Sequence, residues 1–398
     1  MEQLADRLKA TLPPLPVMEE NPSYMLSETD PLSFWRRLLD IMESGRTAAL
    51  ADPSWPEAWQ QELTARLASF QSAGGFQILI PTGGSSGIPR FCIHDMETIM
   101  SAARAYVARF GESGIIHAVN VLPQHHVGGL MPVFRSAACG GKVHFADYRN
   151  AASINAAPFR LQEASISLVP TQLQRMLADP DLLPLLQEFG LILVGGAGCP
   201  RHLLETARNN QLRLSPCYGS TETAAMVTAE NPDDFLHGSE GVGSALPHAQ
   251  IEIAANQRIS VRSPSNLRAY FPQQEGFNRE PLLTSDLGSL DEQGRLHILG
   301  RADRVIITGG EKVHPEQVEA AALASDLVID VRCEGVPDPE WGSRVVLHAI
   351  LVRKLPAPDE SDLLAALRQT LPAHAVPKRI FFHDTLPRSA IGKWQGNS

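Results

Sequence analysis

Apolar residues recur at helical spacing over residues 34–42 and 55–70, and Pro56 follows Ser54 where the second helix would begin. The first seventy residues therefore predict a helical start. Short apolar runs rich in β-branched residues follow at 76–80, 118–122, 166–169 and 191–194, each closed by Gly, Pro or Ser. Helical stretches at 98–110 and 171–177 separate them, and that alternation predicts α/β construction. Beyond Asn231 the pattern changes to short strands at 250–253, 258–261 and 296–299 with turn residues between them, a β-rich subdomain finishing the large domain. A smaller α+β unit then reads as strand 305–307, helix 315–323, strands 327–331 and 345–352, helix 359–371 and strand 379–382. The expectation is a large N-terminal α/β domain, residues 1–302, and a small C-terminal domain, residues 303–398.

Composition narrows the function. A chain of 398 residues exceeds what one core usually holds. With 43% hydrophobic and 20% charged residues it has the make-up of a soluble globular protein and is too apolar for disorder. The formal charge of -10, without a run of Lys and Arg, argues against a nucleic-acid partner. No stretch approaches the roughly 20 apolar residues of a membrane span, and Glu2 and Asp6 are unlike a signal peptide, so a cytoplasmic location is expected. Five cysteines, odd in number, widely spaced and without C-x-x-C, predict neither a disulfide framework nor a zinc site. Periodicity leaves a homo-oligomer open.

The chemistry concentrates in five segments. Thr82, Gly83, Gly84, Ser85, Ser86 and Gly87 directly follow the strand at 76–80. Three glycines and three hydroxyl residues make a loop whose N–H and O–H groups can wrap phosphate oxygens, with Arg90 nearby as counter-charge. No Lys-Ser or Lys-Thr follows Gly87, which excludes the phosphate loop of kinases and GTPases. Tyr218, Gly219, Ser220, Thr221 and Glu222 offer an aromatic face for a base, a hydroxyl for phosphate and a carboxylate for Mg²⁺. Asp286 suits the two hydroxyls of a ribose. The segments 300–303 and 309–316 follow, and 387–393 closes the series with Gly392 and Lys393. Each alone is explained as well by a cap or a turn; the ordered set is not.

That set resembles the adenylate-forming superfamily of acyl-CoA synthetases, peptide-synthetase adenylation domains and firefly luciferase, over residues 76–393. The resemblance implies an acid–thiol ligase. A carboxylic acid and ATP give an acyl-adenylate and pyrophosphate, then coenzyme A displaces AMP as the small domain rotates. It further implies that Thr82–Gly87 hold pyrophosphate, with Arg90 where the family has lysine. Gly195, Gly196 and Ala197 would flank the adenine, and Tyr218 would stack on it beside Gly219. Thr221 would touch the α-phosphate, Glu222 would hold Mg²⁺, and Asp286 with Arg301 would hold the ribose. Asp303 falls at the hinge, and Lys393 at the lysine that serves adenylation. An ammonium there offsets the repulsion between two anions and orients the attack.

The acid itself is read from two phrases. The segment 122–130 matches the region where the family keeps an aromatic gate beside the acyl pocket, and aligning Pro123, Gly128 and Gly129 puts His126 in the gate position. Residues 123–141 hold no acidic side chain to meet an amino acid's ammonium, whereas Arg135 could pair with a second carboxylate. The segments 122–129 and 169–177, the latter with Thr171, resemble the 2-succinylbenzoate–CoA ligases of menaquinone and phylloquinone biosynthesis. His126, Arg135 and Thr171 are thereby expected at the substrate, a small carboxylic acid. A CoA ligase for another small aryl or short acyl acid stays open, as does a non-catalytic nucleotide-binding relative.

Overall fold

The apolar runs at 118–122, 166–169 and 191–194 form the centre of a seven-stranded sheet. Its strands run in the order Val143–Phe145, His117–Asn120, Ala164–Leu168, Leu191–Val194, Leu214–Ser220, Ala225–Ala229, Ser244–Ala245. The first five are parallel, and Ala225–Ala229 pairs antiparallel with both of its neighbours. The computed structural model describes residues 2–15, 25–68, 70, 74–82, 88–111, 114–272, 281–352 and 359–386. By internal packing the chain divides into two units: Met1–Gly196 with Gln211–Ile251 and Val261–Leu282, and Ala197–Asn210 with Glu252–Ser260 and Leu283–Ser398.

In the first unit a second sheet corrects the expected helical start. Met25–Leu26, Thr47–Leu50, Gln77–Pro81, Phe91–Asp95 and Ala269–Phe271 lie side by side. Thr47–Leu50 is a short buried strand with no polar alternation to betray it, because a parallel strand is covered on both faces. The helices between are as the periodicity predicts. Pro31–Glu43 starts on Asp30, whose carboxylate accepts from the Ser33 N–H, and buries Phe34, Trp35, Leu38, Leu39, Ile41 and Met42. Its stripe joins Ile78, Ile80, Ile99, Leu130 and Phe134 in the main core.

The helix Val127–Cys139 falls where the sequence shows two glycines and an internal proline, features that argue against a helix. Tertiary contact explains the exception. A Cβ on Gly129 would lie 2.1 Å from the Pro123 carbonyl oxygen, so only glycine lets this helix start against the preceding loop.

In the second unit Leu282–Leu290 pairs antiparallel with Leu296–Arg301, Asp286 facing Arg301. The strand Leu296–Arg301 bends at Gly300, φ +143°, where a Cβ would meet the Glu316 carboxylate at 2.4 Å. This close approach groups residues 283–302, expected in the large domain, with the C-terminal residues. A three-stranded sheet of Val328–Asp338, Gly342–Leu351 and Arg379–Phe382, with helices Pro315–Leu323 and Glu360–Thr370, encloses a core of Val318, Cys333, Leu347, Leu363 and Leu367. Gly309 and Gly310, at φ +57° and +84°, form the two-residue hairpin turn between Ile306–Thr308 and Glu311–Val313.

Candidate active site

The Thr221–Glu222 segment sits at a tight antiparallel return between Leu214–Ser220 and Ala225–Ala229. Ser220 and Thr223 cap each other, and the Thr223 hydroxyl donates to the Ala225 carbonyl at 2.6 Å. Ala224 and Ala225 adopt φ +51° and +82°, costly for alanine, and a Cβ on Gly219 would fall 1.9 Å from the Ala225 oxygen. Strained backbone of this kind persists only where the surroundings enforce it.

The surroundings do so through residues that no motif reveals. His94 is fully buried and its Nε2 lies 2.8 Å from the Thr221 carbonyl oxygen. A carbonyl only accepts, so Nε2 carries the proton and Nδ1 faces the Thr98 hydroxyl at 3.0 Å. Burial pulls the His94 pKa down to about 4, which keeps the ring neutral at pH 7. The Leu267 N–H donates to the Glu222 carbonyl at 2.7 Å, and Arg268 reaches Asp95 at 2.7 Å and Glu97 at 2.5 Å. Asp95 in turn caps the helix Met96–Phe110. Burial opposes its charge, yet the Arg268 hydrogen bond holds its carboxyl below the usual range.

Glu222 is half-buried and accepts from the Tyr270 hydroxyl at 3.3 Å. Burial first, then the Glu222 charge, pushes the Tyr270 phenol up, so it stays a donor. Arg90 stacks on the Tyr270 ring at 4.6 Å. Glu222 has no ion-pair partner among the described residues, and a half-buried carboxylate in that condition suits a hard divalent cation such as Mg²⁺.

The other expected residues fall as follows. Thr82 closes the stem of the phosphate-loop candidate, its N–H and hydroxyl both donating to the Arg90 carbonyl at 2.8 and 3.0 Å. Gly83, Gly84, Ser85, Ser86, Gly87 and Lys393 lie outside the described residues. Gly195 ends the strand Leu191–Val194, where a Cβ would meet the Cys217 sulfur at 2.9 Å, and Gly196 takes φ +79°. Ala197 is exposed, and Tyr218 is half-buried in Leu214–Ser220. In the second unit Arg301 forks onto Asp303 at 2.8 and 2.6 Å and reaches Asp286 at 3.4 Å. The Arg301 hydrogen bond holds the Asp303 carboxyl below its ordinary value.

The expected substrate residues lie at two helices, His126 and Arg135 at Val127–Cys139 and Thr171 at Pro170–Ala178. Thr171 is half-buried in the first turn of Pro170–Ala178. His126 precedes the helix Val127–Cys139, its ring tilted against His125 with centroids 4.4 Å apart. Arg135 is only 5% exposed, with its guanidinium carbon 5.0 Å from the centre of the Tyr106 ring. Burial draws its pKa down, and it makes no ion pair among the described residues. A buried cation without a carboxylate is costly and asks for an anion. His125 lies 3.5 Å from Asp52, and burial lowers the His125 pKa against that charge.

The chain belongs to the AMP-binding enzyme family, which matches residues 37–271, and the C-terminal domain of AMP-binding enzymes matches residues 317–393. Within it the chain is 30% identical over 328 residues to the 2-succinylbenzoate–CoA ligase of Bacillus velezensis, 79% of this chain and 66% of that one. It thus spans just under two thirds of that relative's length. The ligase of the same name from Bacillus subtilis is 25% identical over 390 residues, 91% and 79% of the two chains. In fold it matches the solved Bacillus subtilis o-succinylbenzoate CoA synthetase in complex with its acyl-adenylate intermediate, TM-score 0.81 at 21% identity over 99% and 90% of the chains. ATP-bound MatB from Rhodopseudomonas palustris matches with TM-score 0.76 at 19% identity over 99% and 91%. No helix among the described residues is long and apolar enough to cross a membrane.

Proposed function

We propose that this protein is an ATP-dependent 2-succinylbenzoate–CoA ligase. It joins the acid to AMP with loss of pyrophosphate, then transfers the acyl group to the thiol of coenzyme A. The observation that carries this reading is the Thr221–Glu222 turn, a hydroxyl and a carboxylate without an ion-pair partner among the described residues, on strained backbone braced by the buried His94. Glu222 would hold Mg²⁺, which neutralises phosphate charge as the α-phosphate is attacked. Thr221 donates to the α-phosphate, Tyr218 stacks on the adenine opposite Gly195, Gly196 and Ala197, and Thr82–Gly87 hold the pyrophosphate. Asp286 and Arg301 hold the ribose. Lys393 bridges the attacking carboxylate and the adenylate oxygens, and rotation of residues 303–398 about Asp303 exchanges it for coenzyme A.

His126 and Thr171 flank the acyl group. Arg135, a buried cation without a partner carboxylate among the described residues, pairs with the benzoate carboxylate of a diacid, which favours 2-succinylbenzoate over simple acids. The relatives that carry this substrate in their name support the same choice. The reading puts the enzyme in menaquinone or phylloquinone biosynthesis in the cytoplasm, without a nucleic-acid partner.

The test is pyrophosphate release from ATP and Mg²⁺ with 2-succinylbenzoate, benzoate or a medium-chain fatty acid, CoA being added afterwards. Release with 2-succinylbenzoate alone, abolished in Lys393→Ala, is expected. Release with another acid keeps the ligase and overturns the substrate; AMP binding without release from any of the three overturns the ligase.

A further inference from the structure

His125 has no part in the chemistry above, yet it stands in a cluster with a definite composition. Asp52, His125 and His126 each bring one ligand atom into a group whose members lie within 4.8 Å of one another. The cluster borders a cavity of about 410 Å³ lined by Glu28, Asp52, Ser54, Leu122, Gln124 and His125, among others. His125 and Asp52 keep 12% and 26% side-chain exposure, and both line this cavity.

The three donors come from rigid supports. The Ser54 N–H and hydroxyl both donate to Asp52 Oδ1, at 2.8 and 2.7 Å, which turns Oδ2 towards His125 Nε2 at 3.5 Å. The loop carrying the histidines is pinned by Gln124, whose amide donates to the Leu122 carbonyl at 2.8 Å and accepts from Trp35 Nε1 at 2.7 Å. Behind it Asn120 donates to the Gly129 carbonyl at 2.7 Å, and Gly129 itself fits against Pro123. Ligands about 2.1 Å from a shared tetrahedral ion lie about 3.4 Å apart. The His125–Asp52 pair already has that spacing, and a His126 ring nitrogen lies within 4.8 Å of both ligand atoms. A buried carboxylate oxygen, Glu28 Oε2, faces no hydrogen-bond partner and lies on a residue of the same cavity, although Arg37 pairs with the other oxygen.

Donor chemistry selects the ion. Mg²⁺ prefers oxygen ligands and keeps its waters, whereas two imidazole nitrogens and one carboxylate suit Zn²⁺, Ni²⁺, Co²⁺ or Cu²⁺. We propose that Asp52, His125 and His126 form a binding site for a divalent transition-metal ion of the zinc class, built from different residues than the Mg²⁺ site at Glu222. Three protein ligands leave a fourth position for water from the cavity. A bound ion fixes the His126 ring in place; resting on the role of His126 given above, it thereby slows entry of the acid.

Zn²⁺ and Co²⁺ are titrated into the full-length protein in competition with a chromogenic chelator, in excess Mg²⁺. One saturable equivalent is expected, together with the visible absorption of a tetrahedral Co²⁺ complex. His125→Ala and Asp52→Asn, each checked for native circular dichroism, lower the affinity by at least about tenfold. His125→Gln serves where the alanine variant does not fold. Absence of a saturable equivalent, or one that His125→Ala and His126→Ala both leave unchanged, overturns the site and leaves a structural His125–Asp52 contact. Pyrophosphate release is measured on the same samples: Zn²⁺ inhibits the natural protein and spares His125→Ala. Binding without that inhibition overturns the effect on His126 and keeps the site. Silence of the metal-free protein with every acid counts against the ligase alone.

Discussion

The Thr221–Glu222 turn and the Asp286–Arg301–Asp303 ladder are fixed by opposite means. The first rests on a buried neutral imidazole, a backbone N–H from Leu267 and the half-buried fork of Arg268 on Asp95 and Glu97. The second rests on ion pairs at a surface where Arg301 is 47% and Asp303 57% exposed. Hydrogen bonds removed from water keep their geometry, because no solvent competes for the donor. Surface pairs are screened by salt and contribute about 0–1 kcal/mol, so their members exchange partners at little cost. A turn that must present a hydroxyl and a carboxylate to a phosphate gains from the first arrangement. A residue proposed as a hinge gains from the second, since the fork from Arg301 onto Asp303 is exposed and weak.

The sharpest break of this contrast is Glu222→Gln. The side chain has no ion-pair partner among the described residues, so stability changes little while the carboxylate proposed to hold Mg²⁺ is lost. Adenylation falls on the order of a thousandfold, as expected when an oxygen ligand to a catalytic cation is removed. Thermal melts and pyrophosphate release on one preparation separate the two effects. A matched fall in melting temperature would show that Glu222 is part of the scaffold and would erase the distinction between presented and supporting groups.

The candidate site groups were named from the sequence and the groups that brace them were not. Tyr218, Glu222 and Asp286 stand in short motifs, and the helix Glu360–Thr370 shows in its local pattern, because both depend on neighbours a few residues apart. His94 meets Thr221 across 127 residues, and nothing near His94 marks it beyond the Asp95 cap that follows. Thr47–Leu50 escaped for a related reason, its pairing with Gln77–Pro81 being non-local. The helix Val127–Cys139 was hidden by residues chosen for a close approach rather than for helix propensity. The phosphate-loop candidate is legible in composition, and its stem at Thr82 and Arg90 shows how a strand pair brings the loop's two ends together.

The second prediction concerns the support itself. His94→Ala removes a buried ring and leaves the Thr221 carbonyl and Thr98 hydroxyl without it, a cost of about 2–4 kcal/mol. The pH dependence is more diagnostic. An unfolded imidazole gains a proton below about pH 6.5, whereas folded His94, its pKa pulled down to about 4 by burial, does not. The unfolded state then binds more protons, so stability rises with pH from about 4 to 6.5 and levels off above. A shift of that size corresponds to about 3 kcal/mol. His248, with its pKa also drawn to about 4 by burial, adds in the same direction. His94→Gln can still donate to Thr221 but does not titrate. The difference in unfolding free energy between the natural protein and His94→Gln therefore narrows on acidification. A constant difference across this range would mean that His94 is protonated in the fold.

Arg135→Met follows. It fills the site with an apolar chain of similar length and removes the cation over Tyr106, so stability holds or rises slightly. If the guanidinium pairs with the substrate's second carboxylate, kcat/KM for 2-succinylbenzoate drops on the order of a hundredfold while that for a monocarboxylic analogue is unchanged. An equal drop for both acids would make Arg135 a packing residue.

The smallest effect is expected at the ladder, where it tells most about the contrast. Asp303→Asn keeps the size of the side chain and weakens the fork from Arg301, so the loss of stability stays within about 1 kcal/mol. The Asp303 carboxyl is held below its ordinary value by Arg301, so this contribution is present at neutral pH and is lost as pH falls through the depressed pKa. Raising the salt concentration shrinks the difference between Asp303→Asn and the natural protein, because both partners face solvent. Raising it leaves the His94 effects unchanged, since no ion reaches that ring. Thioester formation and adenylation should respond unequally to Asp303→Asn if rotation at this residue separates the two steps. A salt-independent loss of several kcal/mol would instead show the ladder to be as firmly built as the Thr221–Glu222 turn, and a hinge would have to be sought elsewhere along residues 299–305.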